Sequence, residues 1–157
     1  MLGRTTISIR NLLILVSAVV FVFLILYGSA TAGPLDVDVI SYEELDVSGI
    51  NEAVDAAVEK GVDWPKDAVK TVLYIVYGDV SAFEIAIMAK ANRVENPDSV
   101  VVEVARDSFA DDSVRGDWHR AVLLRQVDGT WRFKRVFRAF RCYRGKSKDG
   151  YSSDLCN

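Results

Sequence analysis

The pair Asp128-Gly129 stands between two apolar-rich runs, and it limits what this chain can fold into more than any other feature. Val122-Leu-Leu-Arg-Gln-Val127 precedes it and Trp131-Arg-Phe-Lys-Arg-Val-Phe-Arg-Ala-Phe-Arg141 follows it. Asp-Gly at such a junction predicts a β-hairpin, because both residues tolerate positive φ in a tight turn. Trp131 and Phe133 alternate with Arg132 and Lys134, but Val136 and Phe137 are adjacent, so the alternation slips and a bulge or strand end is expected near 135.

The neighbouring segments extend this into a sheet. Val100, Val102 and Val104 alternate with Val101, Glu103 and Ala105, which reads as another strand. Residues 81–92 carry two signals. Ser81-x-x-Glu84 resembles a capping box, whereas Phe83, Ile85, Ile87 and Ala89 alternate with Glu84, Ala86, Met88 and Lys90; the strand is the preferred reading. Asn96-Pro-Asp98 then turns the chain. Before the strands, Ile50, Val54 and Val58 make a helical stripe over 50–60, capped by Ser48 and stopped by Gly61. A second helix is expected from Pro65 to Gly78, burying Val69, Val72, Leu73 and Val76. The expected fold is α+β: two N-terminal helices packed on a four-stranded antiparallel meander, as a single domain over 48–157.

The chain of 157 residues opens on a leader at 1–32. Arg4 and Arg10 precede the apolar run 12–27, and Ala30 and Ala32 then offer an A-x-A cleavage site. Removal as a signal peptide and retention as a membrane anchor both stay open, since the run is short for a bilayer span and long for a signal core. Either way the remainder is expected outside the inner membrane, in the periplasm or anchored to the membrane. Residues 33–47 read as a linker or short edge strand. Cys142 and Cys156, the only cysteines, flank a polar stretch, and in an exported chain they are expected to form a disulfide. Charge is unevenly spread: residues 33–112 hold 18 acids against 6 bases, residues 113–157 hold 4 against 11. That split fits internal pairing of acidic and basic parts, or a basic face for an anionic partner.

Two constellations could carry chemistry. Arg132, Arg135, Arg138 and Arg141, interleaved with aromatics, are candidate contacts for an anionic ligand, since guanidinium forks bind carboxylate or phosphate. The alternative is a soluble edge strand with its aromatics in the core. The polar stretch 107–120 reads as a loop containing Asp107, Asp111, Asp112 and Asp117, with Arg115 and the only histidine, His119. Its carboxylates could hold a hard cation, or serve His119 in acid–base chemistry; in the plainer reading Asp112 pairs with Arg115 in a solvated connection. The spacing is not that of a calcium loop, and one His with two Cys is a poor zinc set. No nucleophile elbow, phosphate loop or HExxH helix is present, and no cofactor is implied.

Asp111-Asp-Ser-Val-Arg115, Asp128-Gly-Thr-Trp-Arg132, Arg141-Cys-Tyr-Arg-Gly145 and Tyr151-Ser-Ser-Asp-Leu-Cys156 together resemble the C-terminal half of small exported bacterial proteins of unknown function. The resemblance covers residues 98–157 and implies export and a cystine-closed tail, but no activity. The order of helices then meander is similar to cystatin-like and NTF2-like folds, by analogy alone. The expected function is a non-enzymatic envelope module for a protein partner or anionic ligand, with membrane contact through an uncleaved leader; export argues against nucleic acid. The rival is a small hydrolase or metal-dependent enzyme built on Asp111, Asp112 and His119.

Overall fold

The structure, a computed structural model, describes residues 37–76 and 82–156, all within one unit, Pro34–Asn157. The leader at 1–32, Gly78 and Ser81 lie outside the described residues. Five strands form one antiparallel sheet: β1 Glu43–Leu45, β2 Ala82–Ala91, β3 Ser99–Phe109, β4 Val114–Arg125 and β5 Trp131–Cys142. Helices α1 (Ser48–Glu59) and α2 (Ala68–Val76) lie between β1 and β2 in the chain. Strand order is β1-β5-β4-β3-β2, so β2 to β5 are a meander and β1 adds a strand beside β5. The sheet thus has five strands rather than four, and a strand precedes the helices. Among the described residues no helix is long and apolar enough to cross a membrane.

The helices form where the apolar stripe demands, but their starts differ from expectation. Ser48 is the first residue of α1, not its cap; the Asp46 carboxylate accepts its N–H at 3.2 Å and its hydroxyl at 2.9 Å. At the other end Gly61 takes φ +70°, which lets Val62 N–H reach the Ala57 carbonyl (3.0 Å) and Gly61 N–H the Val58 carbonyl (2.9 Å). Pro65 sits in a 3₁₀ turn, Trp64–Lys66, and α2 begins only at Ala68, where the Asp67 carboxylate accepts the Lys70 N–H at 3.0 Å.

Both faces of the sheet are covered over β3, β4 and β5, whereas β2 is mostly exposed. Val54, Val72 and Val76 of the helices pack on Val100, Val102, Val104, Ala121, Leu123, Phe133 and Val136. Burying each such aliphatic side chain is worth about 1.5–3 kcal/mol. On the opposite face Ala105, Trp118, Phe137 and Ala139 pack under Tyr151, with Val37 and Val39 beside it. Cys142 and Cys156 are bonded, with Cα atoms 5.4 Å apart, and the closed loop should stabilise the fold by about 3 kcal/mol.

Two turns depart from the sequence reading. Residues 126–130 form the β4–β5 connection: Gly129 has φ +85° and donates to the Gln126 carbonyl (3.0 Å), while Asp128 accepts from both Thr130 N–H and its hydroxyl. Asp128 is not at positive φ, so this is a longer loop closed by one left-handed glycine, not a two-residue turn. The alternation slip in β5 is a bulge: Val122 faces Arg135 and Leu123 faces Phe133, leaving Lys134 extra. The polar stretch 107–120 is mostly strand, because its charged side chains answer one another across β3 and β4. The β3–β4 connection is confined to 110–113.

The outer edge of β5 is closed by three separate pieces of chain. Asn51 of α1 mimics a strand partner at Phe133, its Nδ2 donating to the carbonyl at 2.9 Å and its Oδ1 accepting the N–H at 3.0 Å. Next, β1 pairs with Val136, Phe137 and Arg138. Finally Ser152 of the tail exchanges backbone bonds with Phe140 at 2.7 and 2.8 Å.

Candidate functional site

The cross-strand register groups charged residues at one end of the helix-covered face. Val104, His119 and Arg138 align across β3, β4 and β5, and Arg106, Asp117 and Phe140 align one step further along. These positions share a face with the apolar core but lie beyond the centre of it. Between them and Leu45, Ile50, Val72 and Ile75 is a cavity of about 280 Å³. Its lining is mostly apolar, with Arg106, Asp117, His119 and Arg138 as the polar groups on the sheet side beside Ala121, Phe133, Val136 and Phe140. This is the usual make-up of a small-ligand pocket, at a volume just below the usual range.

Arg106 and Asp117 form a bidentate ion pair on this sheet side, Nε to Oδ1 at 2.8 Å and Nη2 to Oδ2 at 2.5 Å. Both are buried, Arg106 at 4% exposure and Asp117 at 6%. The third guanidinium nitrogen, Nη1, is buried and has no hydrogen-bond partner among the described residues. His119 is also buried; its Nδ1 lies 3.8 Å from Asp117 Oδ2, beyond hydrogen-bond reach, and is likewise unpartnered. Burial drives the His119 pKa down to about 4; Asp117 opposes the shift, and Arg106 and Arg138 add to it. At neutral pH the imidazole is therefore uncharged. Arg138 reaches the rim of the cavity with its guanidinium on Glu43, Nε at 2.9 Å and Nη2 at 2.7 Å from Oε1, and over the Phe140 ring.

Of the four candidate arginines, only Arg138 faces this cavity. Arg135 is bidentate to exposed Glu44, both bonds at 2.8 Å, and that hydrogen bonding holds the Glu44 carboxyl below its usual range. Arg132 pairs with Asp55 of α1, which raises its own pKa. Arg141 meets Asp107 at 2.8 Å on the opposite face, and Arg115 grips the same carboxylate, also at 2.8 Å. The four do not gather into one patch; each has its own acid, three of them drawn from residues 43–55.

Asp111 is occupied by the β3–β4 turn, where its Oδ1 accepts Ser113 N–H, the Ser113 hydroxyl and Val114 N–H; these bonds lower its pKa. Asp112 is exposed in the same turn and makes no ion pair among the described residues. His119 lies five residues beyond Val114 along an extended strand, roughly 16 Å away. The structure therefore does not bring Asp111 and Asp112 to His119. No group of three or more His, Cys, Asp or Glu able to hold a metal occurs among the described residues.

Three larger hollows are poorer candidates. The smallest of these, about 340 Å³, lies between residues 93–98 and 125–129 and is lined by exposed residues such as Arg93, Arg125 and Val127, which leaves two to weigh. One, of about 440 Å³, lies on the opposite face beside Asp107, Arg141 and Tyr151, where Asp107 is already held by two arginines. The other, about 590 Å³, follows the tail beside the disulfide and is lined by Arg144, Gly145 and Lys146. Neither joins apolar walls to buried, unpartnered polar atoms.

Arg106 did not stand out in the sequence, and Asp117 only as one carboxylate of the polar stretch, although a signal for their pairing exists. Arg106 with Asp117, and Glu103 with Arg120, are opposite charges equidistant from the 110–113 turn, as a hairpin register requires. No family model matches the chain, and no curated protein or solved structure is significantly similar to it.

Proposed function

We propose that this is an exported, non-enzymatic binding module of the cell envelope whose helix-side cavity takes a small amphipathic carboxylate. The observation that carries the reading is the pairing of Arg138 with Glu43 at the cavity rim. Glu43 is a carboxylate already seated on a guanidinium, next to apolar walls made by Leu45, Ile50, Val72 and Ile75. An incoming carboxylate would exchange with Glu43 on Arg138 and lay its apolar body against those walls. The lining includes no Ser, Thr or Cys, and His119 is too weak a base and too far from Asp117 to be oriented by it, which favours binding over hydrolysis. The bonded Cys142–Cys156 pair supports an oxidising compartment.

Equilibrium dialysis of radiolabelled octanoate against the full chain in amphipol, with amphipol-only blanks, tests this. Octanoate should bind saturably, octylamine should not compete, and Arg138→Ala should weaken binding at least tenfold while Arg135→Ala leaves it unchanged. Absence of saturable octanoate binding, or binding indifferent to Arg138→Ala, overturns the proposal.

A further inference from the structure

The two edges of the sheet are treated differently. The β5 edge is closed by Asn51, β1 and Ser152, whereas β2 pairs with β3 on one side and with nothing on the other among the described residues. β2 is ten residues long, contains no proline, and has a single lysine, Lys90. Long bare edges are normally blunted by charge, proline or a covering element, because their free N–H and C=O groups recruit another strand.

The hydrogen-bond parity of that edge follows from one bond. Asn92 N–H donates to the Ser99 carbonyl at 3.0 Å, and β2 keeps the same register on β3 throughout. Residues 84, 86, 88 and 90 therefore spend their backbone groups on β3, and Phe83, Ile85, Ile87, Ala89 and Ala91 turn theirs outward. The same row carries apolar side chains into solvent: Phe83 is 90% exposed and Ile87 43%.

We infer that β2 is an interface with a second copy of this chain, paired antiparallel about a two-fold axis through Ile87. Three independent features meet only in that register. Ile87 opposite its own counterpart is a position with outward backbone groups, so the two copies exchange N–H···O=C bonds there and at every second residue. Ile85 then faces Ala89, and Phe83 faces Ala91, which covers the apolar row. Glu84 of each copy falls opposite Lys90 of the other, giving two cross-strand charge pairs, and neither residue has an ion pair within its own chain among the described residues. Centring the pair on residue 86 or 88 also opposes outward backbone groups, 85 with 87 or 87 with 89, but sets Glu84 opposite Met88 or Asn92 instead of Lys90. Centring it on 85 or 89 leaves Glu84 and Lys90 without each other.

The test is site-directed cross-linking of the full chain in amphipol. At a hydrogen-bonded antiparallel pair the Cα atoms are about 5.5 Å apart, within disulfide reach. Ile87→Cys should oxidise to a disulfide-linked dimer, and Lys70→Cys, exposed on α2, should not. In the Ile87→Cys background, Glu84→Lys and Lys90→Glu should each cut dimer yield severalfold, and the double swap should restore it. A yield no higher than for Lys70→Cys overturns the inference. So does a dimer indifferent to the single swaps or not rescued by the double, or a cross-link in whole cells to a protein of another mass. Octanoate binding plays no part in this readout, so the interface and the pocket fail separately.

Discussion

Removing one member of the Arg106–Asp117 pair should damage the fold far more than removing both. Their side chains are only 5% and 8% exposed, and Arg106 already has one nitrogen without a partner. Asp117→Leu would leave a guanidinium buried with no counter-charge, and Arg106→Met would leave a buried carboxylate in the same state. Breaking a buried pair in this way costs about 3–5 kcal/mol, a large part of the ~5–15 kcal/mol that holds a domain of this size together. In the double variant no charge is buried, and apolar side chains of similar volume extend the core of Val104 and Ala121, so the loss should fall to within about 1–2 kcal/mol of the native chain. Urea unfolding followed by the fluorescence of Trp118 and Trp131, both buried, measures all four corners of this cycle. Additive losses, with the double variant as unstable as the two singles summed, would refute the account of a charge pair whose worth lies in mutual compensation.

His119 should make stability depend on pH in one window. Its folded pKa is about 4 against an ordinary 6.5, so between those values the unfolded chain takes up a proton that the folded chain refuses. Stability is then full above about pH 6.5 and declines as pH falls towards 4, by roughly 3 kcal/mol, with no further contribution below. His119→Gln should flatten this part of the stability–pH curve; parallel curves for the two proteins would show that the imidazole is not buried uncharged. Asn51→Ala should cost about 1–3 kcal/mol, since it strips two bonds from the Phe133 backbone. Hydrogen exchange at the Phe133 amide should accelerate with it, and unchanged exchange would mean that the amide does not close the strand edge.

The meander was readable in the sequence because its strands carry a local signal: Val100, Val102 and Val104 alternate, and so do Ile85 and Ile87. β1 was harder to read because its meaning is remote. Glu43 and Glu44 look like an interruption until Arg138 and Arg135, more than ninety residues on, are placed opposite them. The polar stretch 107–120 misled for a related reason. Charges such as Arg106, Asp107, Arg115 and Asp117 suggest solvent when read along the chain, but they satisfy one another across neighbouring strands, which alternation along one strand cannot show. The uneven charge of the two halves was visible from the start, and for Arg132, Arg135 and Arg138 its internal-pairing reading matches the observed partners Asp55, Glu44 and Glu43. The cavity could not be read at all, since it arises from how α2 sits over the end of the sheet.

The last strand to be synthesised is finished by residues from both directions: Asn51 and β1 from early in the chain, Ser152 from late. Ser41 and Ser152, 111 positions apart, even share a hydroxyl contact. The β2–β5 hairpins are local, but this closure joins residues from the two ends of the domain, so the outer edge of β5 cannot be completed until the tail has left the ribosome. A polypeptide of this kind stays threadable until late, and shortening it at the tail should leave a slow, sticky folder rather than a smaller stable one.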